Sequence, residues 1–180
     1  MRELESLVAW HCAATLLGEK AGSMFTLRWE RYHALWPALV RIREVLKQRG
    51  VALRVFGTRA GALIYMYRPG KLWEELSTEP ARAILLKCGY SENALSCLQT
   101  RLLSFREFPH EIGLFLGYPA QDVAGFIEHG GANPQFSGLW KVYHDVEKAR
   151  SLFCAYRQCR ERMLSLLDGG MSLQEILSAA

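Results

Sequence analysis

An α+β fold, a small antiparallel sheet packed by several helices, is what this sequence predicts, and three observations carry the prediction. Residues 51–67 hold two runs rich in branched and aromatic side chains, Val51 to Phe56 and Ala62 to Tyr67, joined by Gly57-Thr58-Arg59-Ala60-Gly61, which is the pattern of a β-hairpin. Ahead of them, residues 30–48 place Tyr32, Leu35, Trp36, Leu39, Ile42 and Leu46 at helical spacing. After them, residues 138–143 repeat the strand signal, and a long helical pattern runs from Val146 to Leu167. Helices laid against a small antiparallel sheet bury the apolar face of each.

Taken in order, a first helix fits Glu3 to Trp10, with Leu4, Leu7 and Val8 on one face. It runs into His11-Cys12-Ala13-Ala14-Thr15-Leu16-Leu17-Gly18, where Gly18 and Gly22 predict an irregular stretch. Pro37 inside the second helix predicts either a kink or a later start, and Gly50 suits its C-terminal cap. Arg68-Pro69-Gly70 ends the hairpin. Short helices are expected at 71–76, 80–87 and 92–103. The tract Pro109 to Leu116 reads equally as a brief helix or an extended segment. Pro119 suits the first turn of a helix through Ile127, with Asp122 favourable near its positive end. Gly130 to Pro134 is a loop, and Ser172-Leu173-Gln174-Glu175 is a capping box opening a terminal helix.

At 180 residues the chain suits one hydrophobic core, so a single domain over 1–180 is expected. Half the residues are hydrophobic and 22% are charged, a balance that excludes a disordered chain. The formal charge of +4 is mild for a nucleic-acid binder, so nucleic acid ranks last among partners. The basic residues between Arg28 and Lys71 are interleaved with apolar ones and read as a solvated face. No apolar run reaches the length of a membrane span, and the acidic start of the chain lacks a secretory h-region; a cytoplasmic protein is expected. Five cysteines, Cys12, Cys88, Cys97, Cys154 and Cys159, are odd in number and unevenly spaced, which argues for thiols rather than a disulfide framework.

The most distinctive segment is Phe108-Pro109-His110-Glu111-Ile112-Gly113-Leu114-Phe115-Leu116-Gly117-Tyr118-Pro119, a histidine and a carboxylate between two prolines, followed by glycines and aromatics in fixed order. With it go His11-Cys12-Ala13, Thr15-Leu16 and Gly18, then Tyr67-Arg68-Pro69, Asp122-Val123, Gly125-Phe126-Ile127, Trp140-Lys141-Val142-Tyr143, Tyr156 and Cys159. In this set the chain resembles a bacterial family, domain of unknown function 3793 (DUF3793), over nearly its whole length. It departs from the family's pattern at Ala14, where proline is expected, and at His144, where glycine is expected. The resemblance implies a setting in iron or flavodoxin-type redox metabolism, and hence iron or a flavin as cofactors to consider and a flavodoxin-like or iron-handling protein, or a small ligand, as partners. It carries no mechanism.

The residues themselves offer limited chemistry. Cys12 beside His11 is either an activated thiol or a buried cysteine near a helix end. His110 beside Glu111 suits a general base, or a histidine bonded structurally in a first helical turn. The zinc-protease pattern fails because Leu114 stands where its second histidine belongs. Cys154 and Cys159 lie about 140° apart around a helix and cannot hold one ion from it. Arg68, Lys141 and Tyr143 are candidates for holding an anionic group. Tyr65, Tyr67 and Trp73 suit either a flat cofactor or ordinary packing. No phosphate-binding glycine loop and no serine nucleophile elbow is present. The preferred reading is an accessory or binding protein in which the 108–119 segment and the His11-Cys12 turn line one pocket or partner surface. The alternative is a thiol-dependent enzyme using Cys12 with His110 as base.

Overall fold

The computed structural model describes residues 2–104 and 108–179, together with a division of the chain into two compact units, residues 1–69 with 155–180 and residues 70–154.

The first unit opens with α1 (Arg2–Leu16), followed by β1 (Gly22–Leu27), α2 (Trp29–Gln48), β2 (Ala52–Thr58) and β3 (Gly61–Tyr67). The expected hairpin forms as β2 and β3, paired antiparallel with Val55 opposite Ile64. β3 is the central strand of the order β1-β3-β2, and Phe25 of β1 also faces Ile64. Phe25, Leu27, Ala62, Ile64 and Met66 turn to one face and form a core with Leu4, Val8 and Cys12 of α1 and Leu35, Leu39, Ile42 and Leu46 of α2.

The structure corrects two readings of this half and decides an alternative left open in a third. First, α1 does not stop near Trp10; it continues through Cys12 to Leu16. Every residue from Cys12 to Leu16 is buried, and a helix covered on all sides loses the apolar stripe that would reveal it. Second, the sheet takes its third strand from 22–27, not from 138–143. Its inward row is Ser23, Phe25 and Leu27, and the polar Ser23 hides the alternation; its hydroxyl is satisfied by Thr15 at 2.8 Å. Third, the helix read over 30–48 forms as α2, which begins at Trp29 and passes through Pro37, so the later start does not occur. Pro37 lies on the exposed side of the helix, and a proline there costs one backbone hydrogen bond.

The second unit contains α3 (Pro69–Ser77), which starts at the boundary, then α4 (Glu79–Lys87), α5 (Ala94–Ser104), α6 (Ile112–Phe115), α7 (Ala120–Glu128), β4 (Phe136–Ser137) and β5 (Lys141–Val142). α7 packs against α4, α6 and β5. The long α8 (Val146–Asp168) is counted with this unit up to Cys154 and with the first from Ala155, and α9 (Leu173–Ala179) completes the first unit. The capping box is made: Ser172 N–H donates to Glu175 Oε2 at 2.7 Å, and Glu175 N–H donates to Ser172 Oγ at 3.2 Å.

The expected strand 138–143 is instead a tight two-stranded hairpin, Phe136 opposite Val142 and Ser137 opposite Lys141. Beyond Val142 the backbone donors of Tyr143 and His144 turn to the Asp122 carboxylate at 2.8 and 3.0 Å, so the ladder ends there. Among the described residues no helix is long and apolar enough to cross a membrane.

Candidate functional site

The segment Pro109 to Leu116 resolves into a run of tight turns ending in α6. Ile112 N–H donates to Pro109 O at 3.1 Å, Leu114 N–H to Glu111 O at 3.0 Å and Leu116 N–H to Ile112 O at 3.1 Å. This winding sends adjacent side chains in different directions. His110 is exposed and sets its ring 4.8 Å from that of Phe126. Glu111 turns inward and is buried; its Oε1 accepts Tyr90 Oη–H at 3.0 Å and the Arg101 guanidinium. Arg101 also donates to Cys88 O at 2.8 Å. Burial, and then the Glu111 charge, push the Tyr90 phenol and the Cys88 thiol upward.

Asp122, in the first turn of α7, organises the other side. It is only 3% exposed. Its Oδ2 accepts Trp140 Nε1–H at 2.8 Å, and its Oδ1 accepts the two backbone N–H groups of Tyr143 and His144. One carboxylate thereby fixes both the indole and the end of β5. The ring of Tyr143 lies so close to Gly125 that a Cβ there would meet it at 2.5 Å, and a Cβ at Gly138 would meet Phe153 at 2.1 Å. Only glycine permits these approaches. Trp140 is held between Tyr118, at 4.6 Å, and Phe153, at 4.4 Å.

Between these walls is a cavity of about 380 Å³. Phe108, Ile112, Tyr118, Val123, Phe126 and Trp140 supply its apolar lining; His110, Asp122, Ser137 and Lys141 supply its polar groups. Lys141 Nζ donates to Gly131 O at 2.5 Å and stands 5.7 Å from the Phe126 ring centroid. Burial raises the Tyr118 phenol above its ordinary range.

Of the residues singled out by sequence, His110 and Lys141 share this cavity. Glu111 and Tyr143 are not in its lining: the first belongs to the buried Arg101 pair, and the second donates its hydroxyl to Ala132 O at 3.1 Å and stacks with His129. His11, Cys12 and Arg68 belong to the first unit. There, Cys12 is wholly buried, and burial pushes its thiol up to about 12, outweighing the opposing pull of Lys20. His11 stacks on Phe25 at 5.2 Å, and burial, then Arg160, lowers its basicity. Arg68 forks onto the end of α1, with Nε donating to Thr15 O at 2.7 Å and Nη2 to Leu16 O at 2.5 Å, while Nη1 donates to Arg49 O at 3.2 Å beside the end of α2. Tyr65 is wholly buried and stacked 4.7 Å from Tyr67, which leaves it no face for a flat cofactor. Among the described residues no group of three or more His, Cys, Asp or Glu gathers as a metal site.

Sequence reasoning placed Asp122 by its helix-end charge and missed its role as the hub; it also missed Tyr118 and Phe126 as walls. The available signal was an acid embedded among Val123, Gly125 and Phe126, where solvation alone gives no reason for a carboxylate.

A family model described as "Protein of unknown function (DUF3793)" matches residues 8–177. No curated protein matches the chain, and no solved structure does.

Proposed function

For this chain, which belongs to the DUF3793 family, we propose the role of a binding protein that takes a small, mostly apolar molecule into the cavity of residues 108–141. The single observation that carries the reading is the cavity itself: about 380 Å³, walled by aromatic and branched side chains, with a few polar groups at fixed positions. Sites for small molecules have this size and this balance. The walls are held by buried contacts rather than by a loose loop, since Asp122 fixes Trp140 and β5 while Gly138 admits Phe153. The setting in iron or flavodoxin-type redox metabolism rests on the family resemblance alone. The thiol-dependent alternative gains no support from Cys12, whose reactive thiolate is disfavoured by burial.

The test uses N-phenyl-1-naphthylamine, a neutral apolar probe whose fluorescence rises on leaving water. Saturable binding of one equivalent is expected. Ser137 lines the cavity, and Ser137→Trp fills it; the substitution is expected to weaken probe binding at least ~10-fold. An absence of saturable binding to the folded protein, or identical binding to the filled variant, overturns the proposal.

A further inference from the structure

We infer that the molecule taken by this cavity is an aromatic anion, such as an aryl carboxylate, rather than a neutral or cationic ring compound. The inference rests on the binding role proposed above and adds the charge of the ligand.

Asp122 is the one carboxylate among the described lining residues. Both of its oxygens are taken by three N–H donors of the protein: Trp140 Nε1, Tyr143 N and His144 N. A cationic ligand finds a weak counter-charge there, because three of the carboxylate's roughly four acceptor sites are filled by protein N–H groups and the group itself is buried. The lining's cation is Lys141. An ammonium carries three protons, and Gly131 O takes one, at 2.5 Å, leaving two for a ligand acceptor. That bond also anchors the flexible side chain, so the charge is positioned before the ligand arrives. Phe126 joins the two polar wall groups, with Lys141 Nζ 5.7 Å from its centroid and the His110 ring at 4.8 Å. A ring lying along Phe126, Tyr118 and Trp140 with a carboxylate directed to Lys141 satisfies both the apolar walls and the fixed charge.

The experiment is competition against bound N-phenyl-1-naphthylamine by 2-naphthoate, naphthalene and 2-naphthylmethylammonium, which share one ring system and differ in charge. The naphthoate is expected to compete at least ~10-fold better than the ammonium compound and better than naphthalene. Lys141→Met is expected to bring the naphthoate-to-ammonium ratio close to one, and Lys141→Arg to keep it, with circular dichroism confirming that both variants are folded. Equal competition by the three compounds, or a preference for the ammonium, overturns this inference and leaves the binding role standing. Failure of the neutral probe itself to bind removes both.

Discussion

Cys12 has no exposed surface, and burial moves its thiol from an ordinary value of 9.0 up to about 12. From about pH 9 to about pH 12 the unfolded chain gives up a proton that the folded chain keeps. The folded state then binds more protons, so this thiol's contribution to stability is whole below pH 9 and is lost as pH rises. Thermal unfolding of the wild type and Cys12→Ala at about pH 7.5 and about pH 10 tests this. The gap in midpoint, with the wild type higher, is expected to narrow at the higher pH; a constant or widening gap removes the account. The sequence held both readings of this residue open, because whether a cysteine is core or reactive depends on what covers it. The neighbouring His11 shows the same dependence: adjacency in the chain gave it no bond to Cys12, since helix geometry turns the two about 100° apart and Phe25 supplies the stacking partner.

Among the elements, the hairpin β4–β5 owes its end and its place to Asp122. Asn at that position keeps the shape but replaces one acceptor oxygen with an NH₂ group, which then faces N–H donors. Asp122→Asn is expected to cost about 2–4 kcal/mol of stability, by leaving buried donors unpaired. The near-UV circular dichroism of Trp140 is expected to weaken, and probe affinity to fall with it. A loss below about 0.5 kcal/mol in chemical denaturation, with the aromatic signal intact, contradicts the hub role. Local patterns announced some elements directly. The branched runs on either side of Gly57–Gly61 gave β2 and β3, and Ser172 with Glu175 gave the cap of α9. They did not announce β1, whose inward Ser23 reads as polar until Thr15 is placed beside it. Nor did they limit the 138–143 strand, because the Asp122 side chain, 21 and 22 positions away, takes the backbone donors of Tyr143 and His144.

On the scale of the whole chain, each compact unit has a part-buried arginine or a buried carboxylate that binds backbone distant in sequence. In the first unit Arg68 joins the ends of α1 and α2 to the end of β3. Arg68→Met removes the charged donor from the carbonyls of Thr15 and Leu16, leaving Thr15 O the Gly18 N–H at 3.2 Å, at an expected cost of about 2–3 kcal/mol. Arg68→Lys is expected to recover only part, because a lysine cannot reproduce the fork. Denaturant midpoints measure both, and a Lys variant as stable as the wild type contradicts the fork. By itself the sequence determined the α+β class, most helices and the central hairpin, because periodicity, turn residues and caps act between neighbours. The tertiary structure alone decided that Arg68 binds the carbonyls at the end of α1, that Glu111 pairs with Arg101 and Tyr90, that Asp122 binds Trp140 and the end of β5, and that Lys141 and His110 line one cavity. Burial and hydrogen-bond partnership are properties of what packs across the chain, and that information is absent from any local window of residues.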